Sequence, residues 1–196
     1  MEILHNASVV LPTIGGVSIF EPRAHVFVDE SKSNGYFVAA AAVSPVDISQ
    51  VDKDLRKLTR RGQSRIHFSS ESQPSRRALL ARMTRLNVRV QLYAVRGFPD
   101  KDARRMCLEA LVADLADAGA SRLVLERDDS LVAADRRIIR AALVNKDYLD
   151  ALTYQHVAPT DHSVLWVSDA VAWCQQAGGQ WIAQARPLVQ GITRLG

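Results

Sequence analysis

The chain has 196 residues, 47% hydrophobic and 23% charged, enough to bury the core of one globular domain. No apolar run approaches the roughly 20 residues that cross a bilayer. Met1–His5 lacks the basic start of a secretory signal, and Cys107 and Cys174 stand alone, as suits reduced thiols rather than a disulfide framework. Membrane-spanning and disulfide-stapled classes are thereby set aside, and the expected compartment is the cytoplasm.

In chain order, residues 1–22 read as an irregular segment interrupted by Pro12, Gly15, Gly16 and Pro22. Ala24–Glu30 and Tyr36–Val43 are short apolar runs separated by a polar connector with Asn34-Gly35, which predicts an antiparallel hairpin. Residues 47–61 predict a helix, 66–68 a short extended piece, and 74–86 a second helix with Pro74 in its first turn. Residues 88–96 alternate as a strand, and 101–118 predict a helix closed by Gly119. Then come a strand at 123–127, a helix at 131–144, a strand at 148–157, and a helix at 161–177 capped by Asp161 and stopped by Gly178-Gly179. This order predicts an α/β domain spanning 1–196: a hairpin plus parallel strands in one mixed sheet, flanked by helices. Residues 47–87 form a basic helical insertion and 179–196 a C-terminal tail.

The net charge of +4 is unevenly spread. Lys53 to Arg89 holds eleven bases against two acids, so it carries +9 and the rest of the chain −5. Such a segment attracts polyanions through phosphate contacts, and Lys57, Arg60, Arg61 and Arg65 are its candidate nucleic-acid contacts. A pair of solvated helix faces would have the same composition.

Three carboxylates stand in apolar settings. Asp169 has Leu165, Trp166, Ala172 and Trp173 at three and four residues either side, inside the stripe of its helix. A carboxylate there needs a cation, strong donors, or a core arginine. Asp29 ends the first apolar strand, just before Glu30, and Glu126 closes a later one, with Asp128 two residues on. Strand C-termini of open α/β sheets are where sites collect. Three such acids match what two-metal phosphodiester chemistry requires: hard oxygen ligands for Mg²⁺ or Mn²⁺.

Five pieces carry a family resemblance: Val28–Ser31 (Val-Asp-Glu-Ser), Ile66–Phe68 (Ile-His-Phe), Leu123–Asp128, Ala134–Ile139 and Leu165–Trp173. In this order, over residues 24–178, the chain resembles the RNase H-like superfamily and, more narrowly, the bacterial "domain of unknown function 3800" family. The resemblance implies an RNase H-like sheet and a metal-dependent nuclease acting on RNA or DNA. It makes Asp29 the first-strand acid, Asp169 the last-helix acid, and Glu126 or Asp128 the middle one. Asp135 and His67 also match motif positions, as supporting residues beside Glu30, whereas Glu109 is set aside as the helix acid. The alternative is a catalytically inactive module that keeps the fold and binds nucleic acid or protein. His156 and His162 bring no further zinc ligand with them, Ser31, Ser168 and Cys107 lack a nucleophile motif, and Trp166, Trp173 and Trp181 read as packing residues.

Overall fold

The computed structural model describes residues 20–33 and 35–196; of the expected irregular N-terminal segment, all but the last three residues lie outside them. Six strands form one mixed sheet: β1 (His25–Ser31), β2 (Tyr36–Val43), β3 (Arg89–Val95), β4 (Arg122–Glu126), β5 (Thr153–Val157) and β6 (Val189–Leu195), ordered β5-β4-β1-β2-β3-β6. The β1–β2 and β2–β3 pairs are antiparallel, while β4 on β1, β5 on β4 and β6 on β3 run parallel. The hairpin and the parallel half of the sheet therefore form where the alternation of elements places them.

Helices cover both faces. The helices are α1 (Ile48–Arg56), α2 (Gln73–Met83), α3 (Asp100–Ala118), α4 (Val132–Asn145), α5 (Leu165–Ala177) and α6 (Gln180–Ala185). One core joins Phe27, Ala39, Ala41 and Val124 to α5, α2 and α1, and the other joins Val26, Val28, Val38 and Leu125 to α3 and α4. The period of two along β1 assigns odd positions to the first core and even positions to the second. α5 is apolar almost all round, as a helix pressed into the interior must be. The small side chains of Ala39 and Ala41 in β2 let it lie close to the sheet.

Pro74 and Gly119 act where expected. Pro74 lies in the first turn of α2, whose Ser72 cap accepts a hydrogen bond from the Ser75 N–H, and Gly119 closes α3 in the left-handed conformation, at φ 72° and ψ 32°. Three differences have local causes. Asp161 does not cap α5: its carboxylate accepts from the Ala158 N–H (3.1 Å), closing the turn before the helix, which starts at Leu165. Residues 66–68 are not a strand, since Phe68–Ser70 is a single 3₁₀ turn after an extended His67. Past Gly179 the chain adds α6 and the edge strand β6.

Candidate active site

β1 and β4 pair in parallel up to Val28 and Leu125, so Asp29 and Glu126 are the next residues on adjacent strands about 4.8 Å apart. By alternation both point to the face of Phe27 and Val124, the face covered by α5. Asp169 comes from the second turn of α5, fixed by its neighbour Ser168, whose buried hydroxyl donates to the Phe27 carbonyl (2.8 Å). A strand end, its parallel neighbour and a helix thus converge from positions 29, 126 and 169.

The electrostatics reflect that crowding. Burial, then the charges of Glu126, Asp169 and Glu30, push the Asp29 carboxyl well above the usual carboxylate range, opposed by the Glu30 N–H that donates to it (2.8 Å). Asp29 has no cationic side chain within ion-pair distance among the described residues. Burial likewise raises Asp169, against the Phe68 N–H (2.9 Å) and His67, whose Nδ1 lies 3.4 Å from the carboxylate. Burial raises Glu126 too, with Arg65 opposing at 3.4 Å and Asp169 adding to the rise.

The loop 61–68 of the basic segment therefore reaches the acids directly. Arg65 meets Glu126, and the His67–Phe68 step closes over Asp169. Elsewhere in the segment some cations are spent within the molecule: Arg56 pairs with Asp52 (2.8 Å), Lys57 with Asp54 (2.7 Å) and Arg60 with Glu71 (2.6 Å). Arg61 is exposed and, like Lys53, Arg77, Arg82, Arg85 and Arg89, makes no ion pair among the described residues. Arg76 lies over Trp173, 4.2 Å from the ring centroid, and its guanidinium Nε donates to the Phe68 carbonyl (2.9 Å), bracing the loop from behind. Trp173 in turn meets Phe68 and Trp181 edge to face, and Trp166 is buried with its indole N–H on the Pro159 carbonyl (2.7 Å).

Asp128 is spent differently. It is exposed, accepts from the Ser130 N–H and hydroxyl (3.0 and 2.6 Å), and those donors hold its carboxyl below the usual range. With Asp29, Glu30 and Glu126 it lines a shallow cavity of about 430 Å³ at the strand ends.

Of the two residues expected beside the acids, Glu30 lines the cavity with them but turns its carboxylate to Arg104, and Asp135 lies on the opposite face of the sheet. Asp135 is 0% exposed and bidentate to Arg104 (2.7 and 2.8 Å), with His156 Nε2 at 3.0 Å. The same guanidinium reaches Tyr36 Oη (3.0 Å) and Glu30 (2.9 Å), and Lys32 adds a contact to Glu30 (3.2 Å). Sequence reasoning missed Arg104, although the signal was the one that singled out Asp169: a charge aligned with Cys107, Leu108 and Leu111 on a buried stripe. His162 packs against Phe27 instead (5.5 Å), and Glu109 is exposed and paired with Arg105 (3.3 Å).

An all-oxygen acid set with one member lacking a cation fits a hard divalent ion in chemistry. In geometry, among the described residues, no three His, Cys, Asp or Glu side chains stand in a ligating array. Glu126 is turned to Arg65 and Asp169 to the 67–68 loop, so the single shared centre expected for these acids is not assembled in these rotamers.

In three dimensions the chain is similar to RNase HII in the solved structure of the PCNA:RNase HII complex from Archaeoglobus fulgidus, with a TM-score of 0.51 and 13% identity over 83% of this chain and 75% of that one. The likeness is one of fold, and the fold is RNase H-like. No family model matches the sequence, so the narrower family is not shown, and no curated protein matches it. Among the described residues, no helix is long and apolar enough to cross a membrane.

Proposed function

We propose that this protein is a divalent-metal-dependent nuclease, with Asp29, Glu126 and Asp169 as the ligands of Mg²⁺ or Mn²⁺ and Asp128 as a further ligand at the mouth. One observation carries the reading: a half-buried Asp29 carboxylate without a cationic partner among the described residues, its charge opposed by Glu126, Asp169 and Glu30. Like charges gathered at a strand end raise each other's free energy, and a cation is the group that relieves them. When bound, the ion supplies charge neutralisation at the phosphoryl group.

The chain's own residues divide the remaining work. Arg65, one third exposed and only 3.4 Å from Glu126, is able to exchange that carboxylate for a backbone phosphate, and Arg61 and His67 extend the same edge outward. Lys57 gives up a solvent-screened pair with Asp54 to do likewise, whereas Arg60 stays held at 2.6 Å by the buried Glu71 carboxylate. The Phe68 N–H fixes the direction of the Asp169 carboxylate.

The test is cleavage of labelled single- and double-stranded RNA and DNA with Mn²⁺ by wild type and by Asp29→Asn and Asp169→Asn. Each substitution is expected to lower the rate by about a hundredfold or more, since a metal ion supplies several kcal/mol to such a reaction. Full activity in Asp169→Asn removes the assignment. The inactive-module reading draws on the arginine already seated on Glu126. Titrating the protein with Mn²⁺ by calorimetry separates the two, since a dead site takes up no ion.

A further inference from the structure

α3 and α4 pack side by side on the sheet face away from the three acids. On α4, Ala134, Arg137, Ile138 and Ala141 fall on one stripe by their spacing of three, four and seven. The alanines leave the space that larger side chains would fill, and a groove of about 710 Å³ opens between the helices. That volume lies within the roughly 300–1,000 Å³ of small-molecule sites. Its floor is apolar, with Leu131, Ala134, Ile138 and Ala141 on one wall and the ring of Tyr36 at the inner end.

Arg104 reaches the same inner end. It is 5% exposed and held rigid by Asp135, Glu30 and Tyr36. At the rim, Arg105 is neutralised by Asp102 and Glu109 (3.8 and 3.3 Å). Asp100 lies in the first turn of α3, where the helix field favours it. Lys101 and Arg137 are exposed and, like Asp100, make no ion pair among the described residues, so against one unpaired carboxylate two unspent cations border an apolar cleft. An apolar ligand alone leaves them idle, and a bare inorganic anion leaves the floor wet.

We propose that the α3–α4 groove is a second binding site, for a small organic anion with a flat apolar body of mononucleotide size. The apolar body lies on Ile138 and the two alanines, and the anionic group meets Lys101 and Arg137. This inference does not depend on the nuclease reading, because no residue of the acid cluster lines the groove.

The experiment uses the full chain and 8-anilinonaphthalene-1-sulfonate, an aromatic anion, beside N-phenyl-1-naphthylamine, which has nearly the same body without the charge. Fluorescence titration is expected to show saturable one-to-one binding of the sulfonate, with the uncharged amine at least about tenfold weaker, as one charge-assisted contact allows. Arg137→Glu and Ala134→Trp are each expected to weaken the sulfonate by about tenfold or more, and Arg61→Glu, in the basic segment, to leave it unchanged. Melting curves establish that each variant is folded. If Ala134→Trp does not fold, Arg137→Glu, on an exposed position, carries the test alone. The site is overturned by the absence of saturable binding, by equal affinity for the two probes, by an Arg137→Glu variant that binds as wild type, or by equal losses in Arg137→Glu and Arg61→Glu.

Discussion

The cost of a buried charge depends on what surrounds it, and Asp29 and Asp135 show two outcomes. Asp135 has two charge-assisted bonds from Arg104 and a contact with His156. Burial alone would raise its carboxyl, but those partners win and hold it below the usual range. Removing one partner of such a pair leaves the other charge stranded. Asp135→Asn is therefore expected to destabilise the fold by about 3 kcal/mol at pH 7, near the lower end for a broken buried pair because Glu30 still holds Arg104. A carboxyl depressed on folding contributes above its unfolded value of 3.8, and the contribution fades as pH falls through the folded value. The gap between wild type and variant should then shrink on acidification from pH 7 to pH 3 in urea unfolding curves. An unchanged gap would mean that packing, not charge, made the difference. Asp29, without such a partner, has its carboxyl displaced the opposite way.

At the scale of elements, helix ends and loops decide where these residues stand. Gly119 turns the chain out of α3 at φ 72°, and a Cβ there would meet nothing nearer than the Tyr148 hydroxyl at 4.0 Å. Gly119→Ala should accordingly cost about 1–2 kcal/mol of unfolding free energy through the backbone alone. Gly119→Asn should cost less, because asparagine tolerates the left-handed region; equal losses in the two variants would point to a packing effect. The first turn of α2 and the stop of α3 were readable because proline and glycine act through their own backbone. The start of α5 was not, because Asp161 had a competing local acceptor role on the Ala158 N–H. β6 escaped notice for a related reason. Its inward positions are Val189, Gly191, Thr193 and Leu195, and Ile192 is exposed, so the alternation of apolar residues is blurred.

For the molecule as a whole, β6 closes one side of the sheet by pairing with β3 from Val90 to Val95. Removing residues 187–196 is expected to expose β3 as an open edge bearing Leu92 and Val95, and so to lower the melting temperature and promote association. Size-exclusion chromatography and thermal melts check this; a truncated chain that stays monomeric and melts as wild type would show that the edge strand is dispensable. The two faces of the sheet also divide the chemistry, with the acids under α5 and the Arg104 network under α3 and α4.

What the sequence determined by itself is what short-range physics carries: the hairpin, the parallel strands that follow and most helix ends, with Asp29 and Glu126 visible as acids at strand ends and Asp169 as an acid in the apolar stripe of a helix. Tertiary structure alone decided which charges meet. The parity of residues 29 and 30 sends adjacent carboxylates to opposite faces, Arg104 captures Glu30 and Asp135 from positions far apart in the chain, and the 61–68 loop brings Arg65 and His67 to the acids. Pairing energies depend on distance and burial, and neither is written in the spacing of residues along a chain.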